Sequence, residues 1–376
     1  MPEAITTPSV ITPKERKFPC KSCGADLVFA PKQGELQCPQ CGHTEKIPQT
    51  EQEIREYSFN DYLAKPRGKG YGREEGQGRD LRCGGCGAVA HLDASVRATT
   101  CPFCGAPMIA DDKAVKDGGE DVITPEALVP FAITVEQARE SFRKWISSLW
   151  FAPSALKQES QMKQMQGVYR PFWTYDTNTI SHWTGERGDH YYVTESYTAT
   201  ENNQTVTKTR QVQKTRWTFV SGIYSNVFDD VLVSAGNKTD HDTTFELKKL
   251  IHFTPEYLSG FAAERYVVTC EQGWSKAKEI IAEEIRGAVR SSIGGNEQRV
   301  LTVSTAYSGV TYKHVLLPLW LSCYRYGDKN FQFQVNGQTG EVKGSRPYSV
   351  WKILWLIVSL LAVLGLILLL TQHKTG

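Results

Sequence analysis

Eight of the ten cysteines constrain this chain more than any other feature. They form two arrays of four: Cys20-x2-Cys23 with Cys38-x2-Cys41, and Cys83-x2-Cys86 with Cys101-x2-Cys104. The gap between the paired knuckles is the same in both arrays, and one constant offset relates every cysteine of the first to its counterpart in the second. The flanks repeat too: C-K-S-C-G-A matches C-G-G-C-G-A, and C-P-Q-C-G matches C-P-F-C-G. This is an internal duplication. Two cysteines three apart on a tight turn aim both sulfurs at one point, and two such turns complete a tetrahedral cage of four thiolates. Gly24, Gly42, Gly87 and Gly105 each follow the second cysteine of a knuckle, where positive φ lets the turn curl. Each unit spans only about 25 residues, too few for a core, so a metal has to supply the folding energy. Two Zn2+ per chain are expected, with iron in a rubredoxin-like cage as the rival. Disulfides fit poorly, because four-cysteine knuckle arrays read as metal sites and no secretory signal precedes them.

The rest of the chain is ordinary in composition. Its 376 residues, 40% hydrophobic and 22% charged, suit two or three folded units. The net charge of +2 excludes a surface that grips nucleic acid throughout. Cys270 and Cys323 sit in apolar, aromatic surroundings and read as small buried hydrophobes.

Residues 353–370 carry no charge, and Tyr348, Trp351 and Trp355 stand at their start. That run predicts a transmembrane helix over 350–371, through which the chain contacts the lipid bilayer. Lys343, Arg346 and Lys352 precede it and only Lys374 follows. The bias predicts a single-pass, tail-anchored protein of the inner membrane with its N-terminal domains in the cytoplasm.

The fold class expected is multidomain: two small β zinc ribbons, an α+β domain with antiparallel sheets, and one C-terminal transmembrane helix. The boundaries are a flexible N-terminus (1–17), ribbon 1 (18–43), a linker (44–80), ribbon 2 (81–108), a linker (109–124), the α+β domain (125–346) and the membrane helix (350–371). Within the large domain, Thr134 with Gln137 resembles a capping box ahead of a helix. Further helices are expected at 154–165, 243–251, 255–265 and 274–291, the last with a stripe of Ala277, Ile281, Ile285 and Ala288. Residues 168–234 and 299–343 alternate like antiparallel strands, with turn signals at Asn336-Gly337 and Thr339-Gly340. Val168-Tyr-Arg-Pro-Phe-Trp resembles Val315-Leu-Leu-Pro-Leu-Trp; each carries a proline, which predicts a sheet edge or bulge.

No catalytic signature is present: no H-E-x-x-H, no G-x-S-x-G and no phosphate loop. His182 and Asp189-His190 read as structural or surface residues, and the aromatic crowd from Trp145 to Tyr192 as core. The chain is therefore not expected to be an enzyme, and four thiolates leave a zinc no open position for catalysis.

The order of these parts resembles a family of bacterial zinc-ribbon membrane proteins. The motifs that carry it are the two ribbons, G-V-Y-R-P-F-W-T-Y at 167–175, L-L-P-L-W at 316–320, V-N-G-Q-T-G-E-V-K-G at 335–344 and the apolar tail. Members often bear names such as transcription-factor-IIB-type zinc-ribbon protein or primosomal protein N′ (replication factor Y). The resemblance implies metal binding by the eight ribbon cysteines and a role in envelope upkeep. It carries no helicase activity here, because the nucleotide-binding loop is missing.

Two functions compete. One is an adaptor or scaffold that recruits a cytoplasmic or membrane-associated protein, with Phe18, Phe29 and Phe103 as apolar ribbon tips. The other is a nucleic-acid binder using Lys14, Arg16, Lys17 and Lys21. Residues 1–110 hold 14 basic and 13 acidic side chains, a net of +1, which favours the protein partner.

Overall fold

Threonine, valine, tyrosine and tryptophan crowd the segments that form the longest elements, as their fit to a pleated surface dictates. The computed structural model describes residues 9–11, 18–49, 53–64, 78–82, 89–93, 98–100, 107–109, 123–151, 165–201, 204–236, 243–264, 266, 268–326, 329–345 and 348–375.

The first ribbon is a small three-stranded antiparallel sheet: β1 (Val28–Ala30), β2 (Glu35–Gln37) and β3 (Thr44–Glu45). A short helix, α1 (Phe59–Ala64), follows. The large domain then runs β4 (Ala127–Leu128), α2 (Val135–Ser148), β5 (Gln166–Glu201), β6 (Gln204–Ser234) and β7 (Ala262–Glu264). It continues with α3 (Cys270–Ile293), β8 (Glu297–Tyr326), β9 (Lys329–Asn336), β10 (Val342–Gly344) and α4 (Val350–Thr375).

Three of these strands are exceptionally long: 36 residues in β5, 31 in β6 and 30 in β8. β5 lies between the other two, antiparallel to both. β8 leaves it at Gly188, opposite Glu297, so the β5–β6 hairpin continues alone to its tip, where Glu201 faces Gln204. At ~3.3 Å per residue the hairpin's outer arm is roughly 40 Å long.

Helix α3 covers one face of this sheet. Ala277, Ile281, Ile285, Val289 and Ile293 recur at every fourth position and are buried against Trp173, Tyr175, Trp183 and Phe228. Val289, rather than the expected Ala288, continues the stripe. The helix starts at Cys270, ahead of the start its apolar periodicity indicated, because Thr269 and Gln272 form a capping box. Its first turn approaches the sheet closely at Gly273, where a Cβ would stand 2.3 Å from the Tyr175 hydroxyl. The capping box of Thr134 and Gln137 starts α2 as expected.

The two proline motifs are neighbours: Val168 pairs with Leu319, Tyr169 with Pro318 and Pro171 with Leu316. Neither proline lies on an outer edge. β7 pairs β5 at Val168 and Tyr169, and β6 takes over at Phe172, so Pro171 falls in the gap between partners. Pro318 falls in the matching gap between β4, at Val315 and Leu316, and β9, from Leu319. Each missing N–H is thus at a position that no ladder needs.

Several expectations are corrected. The large domain is mostly antiparallel sheet, and the whole chain shows four α-helices among the described residues. Residues 243–251 and 255–265 give only short 3-10 turns at Leu247–Lys249 and Pro255–Leu258 with strands beside them. The helix expected at 154–165 falls almost wholly outside the described residues. Part of the supposed linker belongs to the domain: Tyr57 pairs with Tyr312, and Phe59 is buried against Tyr175, Trp274 and Tyr312. Ser9–Ile11, in the supposed flexible N-terminus, is a strand that joins β7 to Val89–Asp93.

The membrane reading is also overturned. Among the described residues, no helix is long and apolar enough to cross a membrane. Helix α4 runs from Val350 to Thr375, and its described stretch offers no span that meets the length and apolarity a bilayer core requires. The transmembrane helix, the tail anchor, the bilayer contact through 350–371 and the inner-membrane placement are therefore not supported.

Candidate metal centre

The two knuckles of the first ribbon are built alike, as their shared sequence dictates. The Cys20 N–H donates to Ala25 O (2.7 Å) and the Gly24 N–H to Cys20 O (2.8 Å); the Cys38 N–H donates to His43 O (2.8 Å) and the Gly42 N–H to Cys38 O (3.0 Å). Gly24 and Gly42 both have φ of 75°, the left-handed turn that a side chain would strain.

These turns bring four sulfurs together. All four Sγ atoms of Cys20, Cys23, Cys38 and Cys41 lie within 4.8 Å of one another, so the set could hold a metal ion. Cys20 and Cys41 are 3.6 Å apart and Cys23 and Cys38 are 3.4 Å apart. A tetrahedral ion with ~2.3 Å bonds to sulfur sets its ligands about 3.8 Å apart, so the cage fits with little adjustment. Backbone donors favour the thiolate form. The N–H groups of Cys41 and then Gln40 draw the Cys38 thiol down to about 6. The Ser22 N–H points at the Cys20 sulfur, 3.4 Å away. A second thiolate beside Cys38 is penalised unless a cation sits between them. Although the Ala25 N–H lowers it, Cys23 is pushed up to about 12 by its contacts with Cys38 and Cys41. A bound cation removes that penalty, which is the electrostatic case for a metal here.

The ribbon is seated on the large domain rather than held away from it. Phe29, expected as an exposed tip, is 3% exposed and packs edge-on against Tyr257, with ring centres 5.0 Å apart, and against Phe261. The Phe29 N–H donates to Ser259 O (3.0 Å), and the Ser259 hydroxyl to Leu27 O (2.6 Å). Phe18 is half-buried on the same cluster. A cleft of about 300 Å³ marks the seam, lined by Phe29, Phe131, Ile251 and Tyr257 with Lys249 and Gln338 at its polar side. The one signal in the sequence for this docking is the apolar run of Leu27, Val28 and Phe29, more than the ribbon's own small interior can cover.

Cys83, Cys86, Cys101, Cys104 and Phe103 lie outside the described residues. The strands around them are in place: Gly78–Arg82 pairs with Val89–Asp93, and Ala98–Thr100 with Pro107–Ile109.

An acidic group that the sequence reading missed lies elsewhere. Asp176, Asp229 and Asp230 converge where β6 bulges, two residues facing one between Tyr175 and Thr177. Burial pushes the Asp176 carboxyl up to about 6. The Lys313 ammonium sits between Asp230 (2.8 Å) and Glu56 (3.0 Å) and already supplies the positive charge, so this is an ion-pair network.

The remaining reactive types are structural. Cys270 is 1% exposed at the start of α3, and burial pushes its thiol up to about 12, the wrong direction for a nucleophile. The side chain of Cys323 is outside the described residues. His190 is tied at the surface between Glu297 (2.7 Å) and Gln213 (2.7 Å), and His182 is exposed. Trp173 and Tyr175 are fully buried core.

Comparison with known proteins finds a relative. A protein of Bacillus subtilis (strain 168) named "Uncharacterized protein YdjG" is 28% identical over 338 residues, which cover 89% of this chain and 91% of that protein. No family model and no solved structure matches the chain.

Proposed function

We propose that this chain is a non-catalytic scaffold, closed at its first ribbon by structural zinc, that recruits a protein partner. The observation that carries the reading is the thiolate set itself: four sulfurs around one point leave a metal no open position for substrate or water. Zinc is preferred to iron because the ribbon has a structural part to play, pinning Phe29 into the domain core. The duplicated sequence extends the proposal to a second zinc at Cys83, Cys86, Cys101 and Cys104.

The free end of the β5–β6 hairpin supports a protein partner over nucleic acid. It exposes Tyr191, Tyr192 and Tyr197, a residue type enriched at protein interfaces. Its basic side chains are engaged within the hairpin. Lys214 (2.9 Å) and Arg210 (3.6 Å) reach Glu195, and Arg216 lies over the Tyr191 ring. Few charges remain for phosphates.

The test uses the full-length protein. Single-stranded and duplex oligonucleotides should bind no tighter than about 10⁻⁵ M at physiological salt. Purification from cells with nuclease added should retain a protein that is lost when Tyr191 and Tyr197 become Ser, while the metal stays bound. Submicromolar oligonucleotide binding, or no protein that depends on these tyrosines, would overturn the reading.

A further inference from the structure

The long sheet has one face that no described segment of the chain covers. Opposite α3, strand β6 presents Phe219, Ser221, Ile223, Ser225 and Val227 in alternation, and Phe219, Ile223 and Val227 are 65%, 64% and 70% exposed. Beside them β5 adds Ile180, 51% exposed, and the exposed His182, and β8 adds the small Thr302, Ser304, Ala306 and Ser308; the Glu186–Arg299 ion pair closes the face at its outer end.

The same strand has an open edge. Among the described residues β6 pairs only with β5, so one side of its backbone, 31 residues long, is unpaired. Sheets guard such edges with lysine, proline, bulges or a covering segment. The outer half of β6 is guarded by Lys208, Arg210, Lys214 and Arg216. The inner half, WTFVSGIYSNVF at 217–228, has no charge and no proline.

The uncharged stretch is self-complementary. In an antiparallel pair of two such strands centred on Ile223, Ile223 faces its own copy, Ser221 faces Ser225 and Phe219 faces Val227. Residues directly opposite share a face, so the two exposed apolar stripes merge into one. Its ends carry opposite charge: Arg216 at one and the exposed Asp229 at the other. The two-fold axis sets the basic end of each copy against the acidic end of the other. We propose that a second copy of this chain pairs along this edge, forming a two-fold dimer whose two sheets become one. Such an interface uses the same patch on both partners, as closed two-fold dimers do.

The test is sedimentation velocity of the full-length protein across the micromolar range. The expected species is a dimer, and Ile223→Lys, which sets two ammonium groups opposite each other across the axis, should weaken it by about tenfold or more. Circular dichroism should be unchanged, because Ile223 is exposed. Independently, Ile223→Cys should form an intermolecular disulfide on mild oxidation, since directly opposite Cβ atoms are ~4.5–5.5 Å apart. Thr207→Cys, on the same strand but beyond the overlap, should not. A monomeric wild type would overturn the proposal. So would a dimer that tolerates Ile223→Lys, or an Ile223→Cys protein that does not cross-link.

Discussion

The first ribbon and the α3-covered sheet reach order by opposite routes. Besides its cysteines, the ribbon buries Leu27, Phe29, Leu36 and Ile47, and Phe29 is spent on the seam with the large domain. Its two knuckles are held by backbone hydrogen bonds and a ring of thiols that repel once ionised. The sheet is stabilised by burial: α3 seals Trp173, Tyr175, Trp183 and Phe228 under a continuous aliphatic stripe. A short segment with good turn chemistry still needs a metal, whereas a helix laid on a long sheet does not.

The sharpest way to break this comparison is to remove one thiolate. Cys38→Ser should abolish metal binding at the first ribbon and, with zinc as the proposed ion, remove on the order of 10 kcal/mol or more of binding free energy from it. The metal content should fall by one ion per chain, while the far-ultraviolet signal of the long sheet persists. A cooperative loss of the whole fold would show that the two regions are one unit.

The sheet has its own weak point, the buried pair of Arg170 and Glu264, 2.8 Å apart with both side chains essentially inaccessible. Glu264→Gln should destabilise the domain by about 3–5 kcal/mol in denaturant unfolding, because it leaves a buried guanidinium without its carboxylate. The ribbon's metal content should not change.

A smaller effect is set by pH. His314 is buried beside Trp173 and Tyr266, and its Nδ1 lies 2.8 Å from the Ile123 carbonyl oxygen, which makes that nitrogen the donor. Burial lowers its pKa from 6.5 to about 4. The unfolded chain therefore binds a proton first as pH falls. The stability this neutral ring contributes is full above pH 6.5 and is lost between there and about 4, at up to ~1.4 kcal/mol per pH unit. Asp176 works in the opposite sense, so the readout is the difference in slope between wild type and His314→Phe. Equal slopes would contradict the assignment. Smallest, Thr269→Ala should cost about 1 kcal/mol by removing the cap of α3.

Much of this was legible in the sequence. The knuckle spacing pointed to the thiolate set, and the glycines after Cys23 and Cys41 to the turns. The period-four stripe located α3, and Thr269-x-x-Gln272 would have located its start by the rule that succeeded at Thr134. What was not legible is long-range. That Phe29 would turn inward depends on Tyr257 and Phe261, which stand at the other side of the large domain's longest hairpin in the chain. That Pro171 and Pro318 would sit inside a sheet depends on where other strands begin and end. The apolar run at 353–370 predicted a bilayer span from composition alone, which the described part of α4 does not support. Single-sequence patterns report periodicity and turn chemistry; they do not report which faces meet.

The central claim is that metal holds the first ribbon and not the sheet. Hydrogen exchange of the full-length protein, read by mass spectrometry before and after a zinc chelator, tests it most directly. The account predicts that peptides covering 18–47 lose protection on chelation, together with 255–261 at the seam, while peptides from 166–188 and 277–293 keep theirs. Protection of 18–47 that is unchanged by complete metal removal would contradict it.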